Sequence, residues 1–346
     1  MTPHARDRLG GTMAFRVFTA AFLIGVGVVL LIIAWPSLFG LALAPYITQI
    51  VALRSAAAAI ALIAALVFVI VALLAVPARR IFASLALMLV VFAGINVAVQ
   101  SIRGFGNETF PQRAPGELAV LAWNTLGNAP GAQRIAELAL QEEADIIVLP
   151  ETTLAVAEEA AVVLREAGRP MWVYTTAFDE IAAARSTSVL VSAAIGQYRV
   201  DAEVGNTRVL PSIVLRPLDH DGPTIIGVHP VAPTPRQLDN WRADLAWVDS
   251  VCRGDKVVLA GDLNATPDHF TALGDPNGLG TCDSANIVTG NGAVGTWPTR
   301  LPPLLGAPID HIMTTDDIIV TGFRVLTSED DRGSDHRPIV ARFIVD

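Results

Sequence analysis

Three long apolar runs before residue 103 constrain the fold of this chain more than any other feature of its sequence. They cover residues 14–35, 46–76 and 81–102. The charged residues in them are Arg16, near an edge, and Arg54, which could reach the interface from near one helix end. About 20 apolar residues in a helix cross the roughly 30 Å hydrocarbon core of a bilayer. The sequence therefore predicts a three-helix transmembrane anchor over residues 1–103.

The positions of the basic residues predict how this anchor is oriented in the plasma membrane. Arg6 and Arg8 precede the first run, Arg79 and Arg80 separate the second from the third, and the loop between the first two runs has no basic residue. Cytoplasmic loops carry an excess of Lys and Arg, so the N-terminus is predicted to be cytoplasmic. Three spans then place everything after Arg103 outside. A cleaved signal peptide is the alternative for the first run, but two more apolar runs follow it.

Charge divides the chain at the same place. Residues 1–103 hold seven Arg and one Asp, whereas residues 104–346 hold 17 basic and 32 acidic residues. Proteins that grip long nucleic acids need clustered Lys and Arg, and the single lysine is Lys256. A general nucleic-acid surface is therefore disfavoured, although a local basic groove stays open. The two cysteines, Cys252 and Cys282, are too few for a disulfide scaffold, and a bridge between them is as plausible as two free thiols.

After a linker predicted at residues 104–117, strand-like and helical patterns alternate from residue 118 to residue 346, which predicts one α/β domain. The segment 274–303, rich in Gly, Pro and Asn, is predicted to be a loop. Predicted strands lie at 118–126, 145–149, 172–176, 188–192, 209–215, 224–228 and 257–260, and predicted helices at 132–143, 153–167 and 236–251.

Acidic and amide side chains follow two of these strands. Glu151 ends the first, and Asp262 and Asn264 follow the second. Carboxylate oxygens are the ligands that Mg²⁺ prefers, and an Asp can orient or deprotonate a water. Taken alone, each segment is more often structural: Glu151 as a solvated side chain, and Gly261 to Asn264 as an Asx turn.

Two imidazoles also lie at strand ends. His229 follows the strand at 224–228, and His336 precedes the last apolar run. An aspartate that holds an imidazole fixes its tautomer and raises its basicity, so His336 with Asp310 is a plausible acid/base pair. His229 alone is more often a loop residue. His311 should point to the face of its strand opposite to that of Asp310.

Taken together and in order, these segments resemble the endonuclease/exonuclease/phosphatase superfamily, which includes deoxyribonuclease I, exonuclease III, neutral sphingomyelinases and inositol polyphosphate 5-phosphatases. The resemblance covers about residues 118–345. It implies a four-layer sandwich of two packed, mixed β-sheets flanked by helices, and a metal-dependent phosphoric ester hydrolase. The matching segments are Trp123-Asn124, Leu149-Pro150-Glu151, Val228-His229, Gly261-Asp262-Leu263-Asn264, Ile309-Asp310-His311 and Ser334-Asp335-His336.

The resemblance also implies a role for each residue of the site. Glu151 would be the main ligand of Mg²⁺, or of Mn²⁺ as a substitute, helped by Asn124 and Asp335. Pro150 departs from the family, which usually has Gln before this glutamate, but the departure leaves the metal chemistry intact. The catalytic groups would be Asp262 and Asn264, which position water and phosphate, His336 with Asp310 as base or phosphate clamp, and His229, which could protonate the leaving oxygen.

The anchor makes a lipid-borne phosphate the expected substrate, because tethering raises its effective concentration at the active site. Actinomycete glycopeptide-resistance membrane proteins, the VanJ-like subgroup, look similar, which favours a lipid-linked phosphate, a pyrophosphate or a phospholipid headgroup of the cell envelope. An extracellular nuclease is the first alternative and a catalytically silent envelope scaffold the second. Trp297 could line the substrate mouth and Arg185 could contact phosphate, although packing and surface roles are more common for such residues.

Overall fold

The computed structural model describes residues 3–106, 110, 112–179, 181–219 and 221–345, with side chains from Met13 onward. The chain forms two compact units, residues 1–99 and 100–346. The division into anchor, linker and catalytic domain stays a prediction, and residues 107–109 and 111 of the proposed linker lie outside the described residues.

The first unit is helical. Three of its helical segments are long and apolar enough to cross a membrane: residues 13–34, 54–74 and 76–103. The second predicted span is interrupted, because the short helix ends at Ala52 and a new helix begins at Arg54. The helices are α1 (Pro3–Ala34), α2 (Ile47–Ala52), α3 (Arg54–Leu74) and α4 (Arg79–Arg103).

Arg54 is buried inside the first unit rather than extended toward an interface. Its Nη1 donates to the carbonyl oxygen of Ala34 at 2.8 Å and to Oδ1 of Asn96 at 2.7 Å. The amide of Asn96 in turn donates to the carbonyl of Phe92 at 2.8 Å. A backbone carbonyl at a helix C-terminus carries partial negative charge, so Arg54 ties the end of α1 to α3 and α4.

The second unit contains two β-sheets. Its strands are β1 (Leu118–Ala122), β2 (Ile146–Pro150), β3 (Met171–Ala177), β4 (Ser186–Ser192), β5 (Tyr198–Val200), β6 (Ile213–Pro217), β7 (Thr224–Val228), β8 (Val257–Asp262), β9 (Gly278–Leu279), β10 (Cys282–Ser284), β11 (Asp310–Thr315), β12 (Ile318–Val325) and β13 (Ile339–Val345). One sheet has the order β12-β13-β1-β2-β4-β3 and the other β5-β6-β7-β8-β11-β10-β9. Each mixes parallel and antiparallel pairs.

The alternation of side chains along the central strands explains how the layers pack. Val120 and Ile146 point into the core between the two sheets, where they meet residues such as Ile225 of the second sheet. Leu121 and Ile147, one position along, point into a separate core that includes residues of the flanking helices. The predicted fold of two mixed sheets flanked by helices is therefore confirmed. The helices of this unit are α5 (Gly131–Gln141), α6 (Leu154–Glu166), α7 (Leu238–Val251), α8 (Pro267–Leu273) and α9 (Ala285–Val288).

The composition of the segment 274–303 predicted a loop, but the segment is only partly a loop. It contains β9, β10 and α9, and Cys282 of β10 pairs with Thr315 of β11, next to the edge strand β9 of the second sheet. A disulfide joins Cys252, just after α7, to Cys282. Pairing with a distant strand thus overrides the local Gly, Pro and Asn signal.

Candidate active site

Sheet register brings the predicted site residues to one end of the sandwich. In the second sheet Asp262, the last residue of β8, lies directly opposite Asp310, the first residue of β11. Val228 at the end of β7 pairs with Gly261, so His229 emerges beside them. The first sheet contributes Asn124 and Glu151, just beyond the ends of β1 and β2, and residues 334–336, just before β13.

The backbone at this end adopts conformations that few sequences allow. Gly261 has a φ of 138°, and a Cβ there would lie 2.2 Å from the carbonyl oxygen of Val228, so no other residue fits. Glu151 and Asn264 have φ values of 60° and 47°, in the left-handed region that non-glycine residues seldom occupy. Strain of this kind collects at functional sites. Two predicted site residues carry it here.

His336 forms a buried ion pair with Asp310. Its Nδ1 lies 3.0 Å from Oδ2 of Asp310, and its Nε2 lies 3.8 Å from Oδ2 of Asp262. Burial disfavours the charged imidazole, but the charges of Asp310 and Asp262 outweigh burial and raise the pKa of His336 to about 10. Trp123 fixes the backbone by donating from Nε1 to the carbonyl of His336 at 2.9 Å. His336 is therefore an imidazolium held by carboxylates.

His229, unlike His336, is held as a neutral imidazole. Its Nε2 lies 3.7 Å from Oε1 of Glu151 and 4.0 Å from Oδ2 of Asp262. Its Nδ1 is buried without a hydrogen-bond partner among the described residues. Burial, reinforced by the charge of His336, lowers the pKa of His229 to about 3. The site thus holds one charged and one neutral imidazole, a separation typical of acid and base assignments.

Asp262 is the hub of the hydrogen bonds in the site. Its Oδ1 accepts from the backbone N–H of Asn264 at 2.8 Å, and its Oδ2 accepts from Nδ2 of Asn124 at 3.0 Å. Nδ2 of Asn264 also donates to Oδ2 at 3.2 Å and to the carbonyl of Pro230 at 3.0 Å. Burial raises the pKa of Asp262, the charge of His336 opposes the rise, and Asp310 adds to it. Asp262 and Asn264 therefore act as one unit at the end of β8.

The residues predicted to hold Mg²⁺ are Asn124, Glu151 and Asp335. Burial raises the pKa of Glu151; hydrogen bonding from Asn124 and the charge of His336 lower it, and the charge of Asp335 raises it further. Oδ1 of Asp335 is buried and has no hydrogen-bond partner among the described residues. Two carboxylates that repel each other and an orphaned carboxylate oxygen fit an oxygen-liganded divalent cation.

The amide of Asn124 is turned away from this role. Its Nδ2 donates to Oε1 of Glu151 at 3.2 Å, and its Oδ1 accepts from the backbone N–H of Leu126 at 3.0 Å. The structure therefore places Asn124 beside the carboxylates as a donor, and its role as a ligand stays a prediction. A second acidic group, Asp262 with Asp310 and His336, has potential ligand atoms within 4.8 Å of one another. The ion pair between His336 and Asp310 by itself accounts for much of this closeness.

Two residues outside the predicted catalytic and metal-binding set, His311 and Trp297, also make hydrogen bonds in this domain. The ring nitrogens of His311 lie 2.9 Å from Oγ of Ser284 and 2.9 Å from the carbonyl of Ala265, so its imidazole is used structurally. Nε1 of Trp297 donates to Oδ2 of Asp335 at 2.9 Å. No local sequence pattern predicts this bond, because the two residues are 38 positions apart.

The fold of the second unit and its sequence point to one protein family. The chain belongs to the Endonuclease/Exonuclease/phosphatase family, whose sequence profile matches residues 121–336. Members of this family are hydrolases of phosphoester bonds that depend on divalent metal ions.

Solved structures show the same architecture. The chain is similar to TDP2 of D. rerio humanized by 14 mutations, with 15% identity, a TM-score of 0.51 and coverage of 66% of this chain and 99% of that one. It is also similar to the 3′-5′ exonuclease NExo of Neisseria meningitidis, with 19% identity, a TM-score of 0.50 and coverage of 66% and 100%. No curated protein matches the sequence. At these identities the likeness shows the fold alone.

Proposed function

We propose that this protein is a membrane-anchored, outward-facing, Mg²⁺-dependent phosphoesterase that hydrolyses a lipid-linked phosphate or pyrophosphate, or a phospholipid headgroup, of the cell envelope. The observation that carries the proposal is the meeting of Glu151, Asp262, His229 and the His336–Asp310 pair at one end of a domain whose chain also has three apolar helices long enough to cross a membrane.

The reaction would be an in-line attack of water on phosphorus. Asp262, whose pKa burial raises, would orient the water and accept its proton. His336, held as an imidazolium by Asp310, would donate a hydrogen bond to a phosphoryl oxygen on which charge develops. Asn264 holds the carboxylate of Asp262 in place through its N–H and its amide.

His229 enters this scheme as a neutral group. To protonate a leaving oxygen it would first have to gain a proton, and the negative charge of a bound phosphate favours that gain. The expected role of His229 as the acid therefore depends on substrate binding. The imidazolium of His336 is the charged donor before substrate arrives.

Glu151 and Asp335, with Asn124 beside them, would hold the metal. When bound, the ion would neutralise charge that builds up on the phosphoryl oxygens. Without it, burial and, to a smaller extent, the charge of Asp335 raise the pKa of Glu151, against the hydrogen bond from Asn124 and the charge of His336. Mn²⁺ satisfies the same oxygen donors and is the expected substitute.

Membrane attachment supports a lipid-borne substrate. A tethered active site meets a headgroup in the same membrane at a high effective concentration, whereas a soluble substrate gains nothing from the tether. The order of apolar helices followed by this domain is also the feature that resembles the VanJ-like glycopeptide-resistance proteins of actinomycetes. Orientation with the N-terminus in the cytoplasm and the catalytic domain outside follows from the Arg residues near the spans.

Two alternatives compete with this proposal. An extracellular DNA or RNA phosphodiesterase would use the same site, but residues 104–346 carry 17 basic against 32 acidic residues, which disfavours long polyanions. A silent scaffold would not need the strained backbone at Glu151 and Asn264 or the ion pair of His336.

The experiment is a comparison of substrates with the full-length protein in detergent or nanodiscs. Polyprenyl phosphate and pyrophosphate, phospholipids and plasmid DNA are incubated with Mg²⁺, with Mn²⁺ and with EDTA, and released phosphate, headgroup or nucleotide is measured. Glu151→Gln is the matched control, because it keeps the size of the side chain and removes its charge. We expect release from a lipid substrate that depends on both the metal and Glu151.

Two outcomes contradict the proposal in different ways. DNA hydrolysis that exceeds hydrolysis of every lipid would replace the lipid assignment with the nuclease. Absence of release from every substrate, or equal release by Glu151→Gln, would remove the enzymatic assignment and favour the scaffold.

A further inference from the structure

One hydrogen bond at the edge of the site comes from a tryptophan outside every predicted site segment. Nε1 of Trp297 donates to Oδ2 of Asp335 at 2.9 Å, and the indole is only partly buried. The other oxygen of this carboxylate, Oδ1, is buried, lies 3.9 Å from Nε2 of His336 and accepts no hydrogen bond from the described residues. Oδ2 of Asp335 therefore accepts the indole hydrogen bond, whereas Oδ1 stays available on the side of His336.

The segment that carries Trp297 is fastened to the loop of Asp335 by the backbone. The N–H of Thr299 donates to the carbonyl of Asp335 at 2.9 Å, and the N–H of Arg337 donates to the carbonyl of Thr296 at 2.8 Å. The side chain of Arg337 is fully buried and donates to the carbonyls of Thr299 and Leu301 at 2.9 and 2.8 Å. These bonds fix the relative position of the two loops on both sides of the indole contact.

A second contact fixes Trp297 from the other side. The backbones of Trp297 and Ala307 exchange hydrogen bonds, and Gly295 lies so close to Gly306 that a Cβ on Gly295 would be 2.4 Å from the carbonyl carbon of Gly306. The indole is therefore held by its own backbone as well as by Asp335, and it can act as a rigid donor.

We infer that Trp297 is a positioning residue for the metal site: its indole N–H occupies Oδ2 of Asp335 and thereby presents Oδ1 as the oxygen that binds the divalent cation. This inference rests on the proposed use of a metal by Glu151 and Asp335. A donor that orients a ligating carboxylate limits its rotation, and removal of such a donor commonly weakens metal affinity about 10- to 100-fold.

The test measures metal affinity rather than turnover. Full-length protein in detergent is titrated with Mn²⁺, and free Mn²⁺ is followed by electron paramagnetic resonance. Trp297→Phe keeps an aromatic ring and removes the donor. Trp247→Phe is the matched control, since Trp247 is also partly buried and its Nε1 donates at the same distance, 2.9 Å, to the backbone carbonyl of Val204 rather than to a carboxylate.

The expected result is a Kd for Mn²⁺ that rises about 10- to 100-fold in Trp297→Phe and stays within about twofold of wild type in Trp247→Phe. The Asp335→Ala variant distinguishes positioning of Asp335 from a purely structural role for Trp297. In Asp335→Ala the Trp297→Phe change should add less than about twofold, because the donor then has no carboxylate to orient.

Should Trp297→Phe lose its near-ultraviolet circular dichroism, β-(3-benzothienyl)alanine at position 297 replaces it, since this analogue keeps the bicyclic shape and lacks the N–H. Wild-type affinity in the variant without the donor, an equal loss in Trp247→Phe, or a full additional loss in Asp335→Ala would each overturn the inference. If wild type binds no Mn²⁺, the proposed metal use fails together with the inference. If wild type binds Mn²⁺ but the variants do not show the expected changes in Kd, the inference about Trp297 fails and the proposed metal use stands.

Discussion

The two units of this protein each bury a cation, and they stabilise it in different ways. In the helical unit Arg54 donates to a backbone carbonyl, that of Ala34, and to the amide of Asn96. No Asp or Glu occurs between residues 13 and 103. In the β-sandwich His336 lies 3.0 Å from the carboxylate of Asp310 and 3.8 Å from that of Asp262.

The difference separates a structural cation from a reactive one. Arginine stays charged in any environment, so neutral dipoles that satisfy its N–H groups are enough to hold helices together. Histidine is charged at neutral pH only when its surroundings make it so, and the two carboxylates around His336 do this. We therefore expect changes at His336 to affect the reaction and changes at Arg54 to affect stability.

The largest effect is expected from His336→Gln. The variant keeps a donor but loses the charge, so kcat/KM toward the substrate found in the assay should fall about 10²- to 10⁴-fold. Thermal unfolding of the variant is measured in parallel to show that it is folded. His311→Gln serves as the comparison, because His311 is buried in the same domain and its ring bonds only to structural partners. A His336→Gln enzyme with more than a tenth of wild-type activity would contradict the proposed clamp.

The next effect is a loss of stability in Arg54→Met. Removal of the guanidinium leaves the carbonyl of Ala34 and Oδ1 of Asn96 without this donor, at a cost of about 1–3 kcal/mol. The thermal midpoint in detergent should fall, while kcat toward a soluble phosphoester should not change in the protein that stays folded. Arg80→Met is the control, since Arg80 is exposed. Equal midpoints for the two variants would show that Arg54 is no structural clamp.

His311 is a buried imidazole that is neither a structural cation like Arg54 nor a charged group of the active site like His336. We expect it to make the stability of the fold depend on pH, by an amount similar to the loss in Arg54→Met. Burial lowers its pKa to about 4. Above about pH 6.5 it is neutral in both folded and unfolded chains. As the pH falls, the unfolded chain takes up a proton first, so stability is lost between about pH 6.5 and pH 4, and the loss at pH 5 is about 2 kcal/mol.

The measurement is thermal unfolding in EDTA at pH 7 and pH 5. His311→Gln should lower the midpoint at pH 7, because hydrogen bonds are lost, and should flatten the decrease between the two pH values. An unchanged decrease in the variant would assign the acid sensitivity to another group, for example the neutral His229.

Features that depend on neighbouring residues in the chain were predictable from sequence, whereas features that depend on residues far apart in the chain were not. Glu151 was predicted because an apolar strand and the residue after it are neighbours in the chain, and that pattern is local. The break at Leu53 between α2 and α3 was missed, since it coincides with the burial of Arg54 against Ala34 and Asn96, and no local signal marks those contacts.

The same limit applies to the site. The register of β8 and β11 places Asp262 directly opposite Asp310. That Oδ2 of Asp262 also lies near the imidazoles of His229 and His336 is visible only once the strands are paired. The family resemblance supplied their order, but not the contrast between a charged His336 and a neutral His229. That contrast depends on how deeply each ring is buried and on which carboxylates face it.

The smallest effect, and the one that best tests the comparison, is expected from Asn96→Leu. Hydrogen bonds between membrane helices contribute about 0.6 kcal/mol on average, so this change should lower the thermal midpoint less than Arg54→Met does. The two changes should be less than additive, because Oδ1 of Asn96 accepts from Nη1 of Arg54. Additive losses would mean that Arg54 acts mainly through the carbonyl of Ala34. A loss in Asn96→Leu as large as that in Arg54→Met would mean that the cation depends on the amide, as His336 depends on Asp310, and the contrast between neutral and charged partners would then lose its energetic basis.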